Sequence, residues 1–298
     1  MEGALNSALF QRELRAYGLS DWGAALIRSQ NGVVVVRVRY GNGSAVLKYF
    51  ENPVFRREIR NYEILQGLGI PTPAVLGKTE SSLLLEDLSA SKEWRLGREE
   101  DLGDPAVIRA VAKWYRSLHS RGAGYAARCG AGMYEEWERF TRDNLEALRE
   151  RFGLRGNPGL EAVADRFEEL RARLDAAPRT LAYNDFYYTN LAVRKDRTEA
   201  LMFDYNLLGK GSPVSDIRNV VYWFSEEHRR LFFSEYGEPD PALLLLDEIC
   251  APVVSLVLAL DRVETPAWAA EAVEELQRVP ALLAELRPMP PKEETRTD

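Results

Sequence analysis

The sequence predicts an α+β chain in two parts, a β-rich stretch over residues 1–87 and a larger, mainly helical stretch over 88–298. Three observations lead there. The runs "AALIRS", "VVVVRVRY" and "SAVLKYF" are rich in β-branched and aromatic residues and are separated by "QNG" and "GNG", the spacing of a three-stranded antiparallel meander. From Asp104 onward the apolar residues recur at helical spacing instead. The 298 residues are 46% hydrophobic, enough for a large core in one big domain or two lobes.

Each element follows in order. Residues 4–17 read as a short amphipathic helix, with Leu5, Leu9 and Leu14 on one face. After the meander, "NPVFRREIRNYEILQGLG" reads as a helix. Pro53 suits its first turn, Phe55, Ile59, Tyr62 and Leu65 share a face, and Gly67 or Gly69 ends it. "IPTPAVLG" reads as a Pro-punctuated turn, and "SSLLLEDL" as a strand running into a linker. "GDPAVIRAVAKWYRSLHSRG" has an Asp cap, Pro at the first helical position and Gly122 past its expected end. Residues 134–151 and 160–176 are further helix candidates. Short strands are expected over 181–204, helices from 215, and disorder over the tail "PMPPKEETRTD". There is no internal repeat. A cleft between the two halves is the expected ligand site.

Composition excludes several function classes. Charged residues are 29% and the net charge is -7, with no basic stripe, so a nucleic-acid surface is not expected. Two cysteines without a CxxC and two histidines argue against a disulfide framework, a structural zinc site or a His-rich centre. The N-terminus is acidic and polar, unlike a signal peptide. The apolar run "APVVSLVLAL" is short for a bilayer and ends in Asp261 and Arg262. The expectation is a soluble cytoplasmic protein with no membrane partner. Nothing in the sequence bears on oligomeric state.

The candidate chemistry lies in two fragments, "LAYNDFYYTNLAV" and "ALMFDYN". Asp185 in a loop can accept a proton from a hydroxyl. Asn190 and Asp204 are hard oxygen ligands suited to Mg²⁺, which prefers one or two carboxylates plus phosphate oxygens. The runs 191–194 and 199–203, joined by "KDRTE", would bring both to one end of a hairpin. Phosphoryl transfer needs such parts, since its catalysis is mostly positioning and charge neutralisation. Lys48 in "SAVLKYF" is a candidate phosphate-binding cation, and Glu58 on the following helix its acidic partner, with Glu63 as the fallback. Taken singly, Asp185 could cap a turn, Asn190 could form an Asx-turn, and Lys48 and Glu58 could be solvated. His119 is expected as a satisfied core histidine, and the aromatic residues 114, 115, 134 and 137 as core. The acids Glu226, Glu227, Glu235, Glu238 and Asp240 read as surface, although they could line a pocket for cationic groups.

With these residues in place, the chain resembles the aminoglycoside phosphotransferase and choline kinase superfamily, small-molecule kinases with a protein-kinase-like fold. The resemblance covers nearly the whole chain. "AVLKYF" resembles the family's third-strand Lys motif, and "FRREIRNYEILQGLGIPTPAVLG" places the ion-pair acid at Glu58. "LLLEDL" resembles the hinge that contacts adenine, and "WYRSLHS" a family helix. "LAYNDFYYTNLAV" lies over "LVHGDFHPGNILV", and "FDYNLLGKGSPVSDI" over "IDFDxAGxGDPxYDL". The specific part is the paired spacing, Asp185 to Asn190 and then Asp204 to Asp216. It implies a two-lobe kinase-like fold: an N-lobe of five antiparallel strands with one key helix over 1–87, and a helical C-lobe over 88–298.

The resemblance also implies roles. Asp185 deprotonates the acceptor hydroxyl. Asn190 and Asp204 hold Mg²⁺. Lys48 contacts the α- and β-phosphates of ATP and Glu58 fixes Lys48. The backbones of Glu86 and Leu88 hydrogen-bond adenine, Val46 and Phe203 sandwich it, and Asp216 braces the catalytic loop. The nucleotide loop "RSQNGV" has one Gly, which leaves phosphate contacts to backbone amides and Ser29 or Asn31. Departures from the family pattern are Tyr183 for His, Asn184 for Gly, Tyr187-Tyr188-Thr189 for "HPG", Asn206 for the second acid and Ser212 for a later Asp. Asn206 weakens the case for a second metal ion, since an amide is a poorer Mg²⁺ ligand. The expected acceptor is an aminoglycoside-like antibiotic. The alternatives are a metabolite kinase for choline, an amino alcohol or a sugar, and a degenerate nucleotide-binding scaffold without turnover.

Overall fold

Five strands, β1 (Trp22–Gln30), β2 (Val33–Tyr40), β3 (Gly43–Phe50), β4 (Val75–Lys78) and β5 (Ser82–Glu86), form one antiparallel sheet in the order β1-β2-β3-β5-β4. The computed structural model describes residues 7–19 and 22–287. Leu5 and the start of the helix expected over 4–17 lie outside that range, as does the tail 288–298. Contacts divide the chain into one unit of residues 1–132, 180–210 and 216–238 and a second of 133–179, 211–215 and 239–298. The expected boundary at 87/88 falls inside the first unit.

Period-two alternation decides what each strand contributes. On β2 and β3, Val34, Val36, Val38, Ala45, Leu47 and Tyr49 face one way and are buried. They pack with Phe10 and Leu14 of α1 (Ala8–Ala16). The intervening Val35, Val46 and Lys48 line a cavity on the other side. Asn31 and Gly32 both take positive φ, 56° and 78°, the pattern of a tight hairpin turn whose twist suits the flanking strands. The stretch expected as a turn at "IPTPAVLG" instead becomes the edge strand β4 from Val75, paired with β5. Prolines are confined to its approach, where their missing N–H costs no ladder bond.

Helix α2 (Arg57–Gly67) follows a 3-10 turn at Pro53–Arg56, which Asn52 caps by accepting from the Val54 N–H (3.1 Å). Gly69 at φ 66° closes it in a left-handed turn. Glu58, Asn61, Tyr62 and Leu65 form its buried stripe. Beyond β6 (Trp94–Leu96), α3 (Pro105–Cys129) starts as expected, with Asp104 accepting from the Ala106 N–H (2.8 Å).

Helix α3 does not stop at Gly122. A Cβ there would lie 2.8 Å from Leu181 Cβ and 2.9 Å from Leu181 N, so this glycine admits the close approach of β7 (Thr180–Ala182). The residue reads as a terminator only when that neighbour is unknown. Gly122→Val should overpack this contact and cost about 1–3 kcal/mol, measured as a lower denaturant midpoint. An unchanged midpoint would mean the approach is not required. Strands β8 (Leu191–Arg194) and β9 (Ala200–Met202) form the expected hairpin, with β6 on the outer side of β8.

In the second unit the candidate 134–151 is a 3-10 turn at Glu136–Arg139 and an α-helix only from Arg142, because Phe140 (φ -76°, ψ 86°) and the extended cap Thr141 break the run. The candidate 160–176 is two helices, α5 and α6. Here α4 is Arg142–Arg151, α5 Pro158–Asp165 and α6 Phe167–Ala176, the last two separated by Arg166 at φ -103°, ψ 17°. Helices resume with α7 (Pro213–Val221), α8 (Glu226–Tyr236), α9 (Pro241–Leu260), α10 (Trp268–Glu275) and α11 (Val279–Glu285). By length and apolarity α9 is the one described helix that could cross a membrane, and most of it is buried. Within this unit it packs against α4, α6 and α10.

Candidate active site

Lys48 is 5% exposed and Glu58 is fully buried. The Lys48 ammonium donates to Glu58 Oε1 (2.8 Å) and to Asp204 Oδ1 (2.7 Å). Three elements meet there, β3, α2 and the segment after β9. The junction is tied twice more: Tyr205 N–H donates to Glu58 Oε1 (3.2 Å), and Asn61 Nδ2 donates to the Tyr205 carbonyl (2.7 Å). The fallback acid Glu63 pairs instead with Lys78 on the outer surface. Burial pushes the Glu58 carboxyl up to about 7, against the pull of Lys48. Burial would also raise Asp204, but the Lys48 ammonium, with Arg28 and the Asn206 amide, holds it below its ordinary value.

The β8–β9 hairpin brings Asn190 and Asp204 to one end, where Phe203 N–H donates to the Asn190 carbonyl (3.0 Å). Asn190 Nδ2 donates to Asp185 Oδ2 (3.1 Å) and to the Asp185 carbonyl (3.1 Å). Burial and then the negative charge of Asp204 push the Asp185 carboxyl up to about 7, while Lys48, Arg28 and the Asn190 amide oppose them. A carboxylate so poised suits proton transfer near neutrality.

Asp216, fully buried in the first turn of α7, organises the loop before Asp185. Its Oδ2 accepts from Tyr183 N–H (2.7 Å) and its Oδ1 from Asn184 N–H (2.9 Å). His119 Nε2 lies 3.1 Å from the same Oδ2, and its Nδ1 lies 2.7 Å from Tyr236 Oη. His119 is thus the satisfied core histidine the sequence suggested. Asn184 has φ 63° and Asp204 φ 64°, a left-handed region that Asn and Asp tolerate better than other non-glycine residues. Tyr183 donates its hydroxyl to the Phe203 carbonyl (2.5 Å), joining the segment before Asp185 to the one before Asp204.

A cavity of about 290 Å³ is lined by Val46, Lys48, Glu58, Glu86, Leu88, Asn190, Phe203 and Asp204, among others. A smaller one, about 90 Å³, is lined by Arg28, Gln30, Asn31, Lys48, Asp204 and Asn206, among others. Asp185 lines neither and reaches the larger through Asn190. Ser29, expected as a phosphate contact, lines neither. The pairing of β1 slips between Leu26 and Arg28, a bulge at Ile27 that re-phases the strand and presents Arg28 and Gln30 instead. Arg28 Nη1 is 4.0 Å from Asp204 Oδ2.

Sequence reasoning also missed a set of exposed rings. Tyr187 packs edge-on to Trp223 (5.1 Å between centroids) and tilted on Tyr188 (4.6 Å), and Trp223 packs edge-on to Tyr222 (5.3 Å). Tyr187 and Trp223 keep 38% and 40% of their surface exposed. Residues 187 and 188 replace the family's His-Pro, which was the available signal, but the partner at 223 comes from a distant segment.

No group of three or more His, Cys, Asp or Glu side chains able to hold a metal occurs among the described residues. The oxygens of Asp204, Asn190 and Asn206 nevertheless fit Mg²⁺, which takes few protein ligands and completes its shell with phosphate and water. Asn206 Nδ2 donates to Asp204 Oδ1 (2.7 Å), while its buried Oδ1 has no hydrogen-bond partner, which leaves an oxygen open beside that carboxylate.

Residues 24–244 match the family model described as phosphotransferase enzyme family. Among solved structures, a choline kinase from Streptococcus pneumoniae superposes at a TM-score of 0.64 with 15% identity, over 94% of this chain and 100% of that one. A macrolide 2'-phosphotransferase from Brachybacterium faecium gives 0.61 with 18% identity, over 89% and 95%. A putative aminoglycoside phosphotransferase from Ralstonia eutropha gives 0.58 with 14% identity, over 93% and 96%. No curated protein matches the sequence. At these identities the structural likeness shows the fold, a kinase-like one.

Proposed function

Because the chain belongs to the phosphotransferase enzyme family, we propose that it moves the γ-phosphoryl group of ATP, with Mg²⁺, to a hydroxyl of a small molecule. One observation supports this above the rest. Lys48, Glu58, Asp204, Asn190 and Asp185 form a continuous chain of hydrogen bonds and shared cavity walls, although they lie far apart in sequence.

The roles are those that the family resemblance implies, and the positions are consistent with them. Val46 and Phe203 face the cavity as an apolar slot for adenine, beside the backbone of Glu86 and Leu88. Lys48, held by Glu58, contacts the α- and β-phosphates, with Asn31 in the adjoining cavity. Asn190 and Asp204 hold Mg²⁺, which when bound neutralises charge on the phosphates. Asp185 accepts the proton of the acceptor hydroxyl as that oxygen bonds to the γ-phosphorus and the bond to the β-phosphate oxygen breaks, releasing ADP.

By resemblance the first acceptor is an aminoglycoside-like compound. The exposed rings of Tyr187 and Trp223, beside the loop that holds Asp185, favour a second reading. Aromatic faces attract weakly hydrated alkylammonium groups, so an amino alcohol such as choline is the other acceptor. Retention of Lys48, Asp185, Asn190 and Asp204 together argues against a scaffold without turnover.

The test is a thermal-shift titration with ATP and GTP, with and without Mg²⁺, followed by ADP release with aminoglycosides, choline, amino alcohols and sugars. A Mg²⁺-dependent shift and turnover with one acceptor class are expected. No nucleotide shift would reject the reading. Asp204→Ala should weaken Mg²⁺-dependent nucleotide binding by about tenfold or more. Unchanged affinity would move the metal site elsewhere.

A further inference from the structure

Asp87 lies between Glu86 and Leu88, the two residues whose backbones are proposed to meet the base. Its side chain is 3% exposed, yet every side-chain partner given for it comes from outside that pair. Arg37 Nε on β2 donates to Oδ2 (2.8 Å), and Ser44 Oγ on β3 donates to the same oxygen (2.9 Å). Ser89 donates to Oδ1 through its N–H (3.1 Å) and its hydroxyl (2.6 Å). Arg37 Nη2 then donates to Ser89 Oγ (2.8 Å). One guanidinium and one carboxylate thus fasten residues 87 and 89 to two strands of the sheet.

The register places this fastening level with the base. Arg37 pairs with Val46, while Val35 pairs with Lys48, so Arg37 stands beside the slot for the ring and Val35 beside the phosphates. Arg37, Asp87 and Ser89 also line the larger cavity.

Adenine presents an amine donor next to a ring-nitrogen acceptor on the edge that meets residues 86–88. Guanine presents an oxygen acceptor next to an N–H donor there. A carbonyl at Glu86 and an N–H at Leu88 match adenine and oppose guanine, because an unmatched buried donor or acceptor loses its full solvation. A free segment could shift or turn a peptide to accept guanine. A fastened one cannot without breaking charge-assisted bonds, which are stronger than neutral ones.

We infer that the Arg37–Asp87–Ser89 fastening sets donor choice, holding the base-reading segment in the one register that selects adenine over guanine nucleotides. Arg37 is in this sense a positioning and specificity residue. The inference rests on the nucleotide-binding reading above.

The experiment is isothermal titration of the full chain with ATP–Mg²⁺ and with GTP–Mg²⁺, for the wild type, Arg37→Met and Arg37→Lys. The wild type should prefer ATP. Arg37→Met should weaken ATP binding about tenfold and leave GTP binding nearly unchanged, so the preference narrows. Arg37→Lys keeps a cation for Asp87 and loses the fork to Ser89, and should fall between. Circular dichroism of each free protein checks its fold, and Arg37→Lys decides the matter if Arg37→Met does not fold. A wild type that binds both nucleotides equally or prefers GTP, or a variant that loses affinity for both equally, overturns the inference and leaves the proposed function standing. A wild type that binds neither rejects both.

Discussion

Asp185→Ala should lower kcat for phosphoryl transfer by about 10²- to 10⁴-fold, the usual contribution of a positioned proton acceptor, and leave ATP–Mg²⁺ binding nearly intact. Asp185 lines neither cavity and its side-chain hydrogen bond runs to Asn190, so its carboxylate should contribute little to nucleotide affinity. In the proposed function its loss removes the group that takes the hydroxyl proton. Asn190 keeps its position through the Phe203 bond to its carbonyl. The check is single-turnover ADP release together with titration calorimetry. Full activity in Asp185→Ala would remove Asp185 from the chemistry. A parallel loss of nucleotide affinity would make it a structural residue of the loop.

Lys48→Met should be the most destabilising of the site substitutions, by about 3–5 kcal/mol near neutral pH. The two carboxylates it abandons are not equivalent. Asp204 keeps 21% of its side-chain surface exposed, so water can replace the ammonium. Glu58 is fully buried and is left with only the Tyr205 N–H. The pH dependence tests this. The folded value of Glu58, about 7, is raised above its ordinary value of 4.5. Such a group contributes stability fully below its unfolded value and loses it as pH rises through the folded value. Removing Lys48 removes the interaction that lowers the folded value, so the variant should lose more stability between pH 5 and pH 8 than the wild type does. Denaturant midpoints at both pH values measure the gap. A gap of equal size at both would show that Glu58 is not the group left uncompensated.

Much of this arrangement was legible because it follows local rules. "VVVVRVRY" alternates, and the alternation alone places Val34, Val36 and Val38 on one face. The "KDRTE" turn alone brings Asn190 and Asp204 to one end of a hairpin. Glu58 sits on the same helical stripe as Tyr62 and Leu65, which turns it toward the sheet. What escaped depends on neighbours that no window contains. The bulge at Ile27 exchanges Ser29 for Arg28 without any mark in the composition of β1. Gly122 resembles a helix stop until Leu181 is seen against it. Asp87 draws its partners from residues 37, 44 and 89, and Tyr187 meets Trp223 from another segment. In each case the backbone rule was right locally and a tertiary neighbour overrode it.

The junction of Lys48, Glu58 and Asp204 has a further consequence for how this chain can vary. Lys48 and Asp204 would hold phosphate and metal, and together with Glu58 they also fasten β3, α2 and the turn at Tyr205 to one another. A substitution at Lys48 or Glu58 therefore lowers abundance in the cell as well as turnover. A library sorted by expression level would discard these positions before any activity was assayed. Tyr187 and Trp223 are exposed and take no part in the hydrogen bonds of that junction. Variants with a new acceptor preference should accumulate there, at little cost in yield.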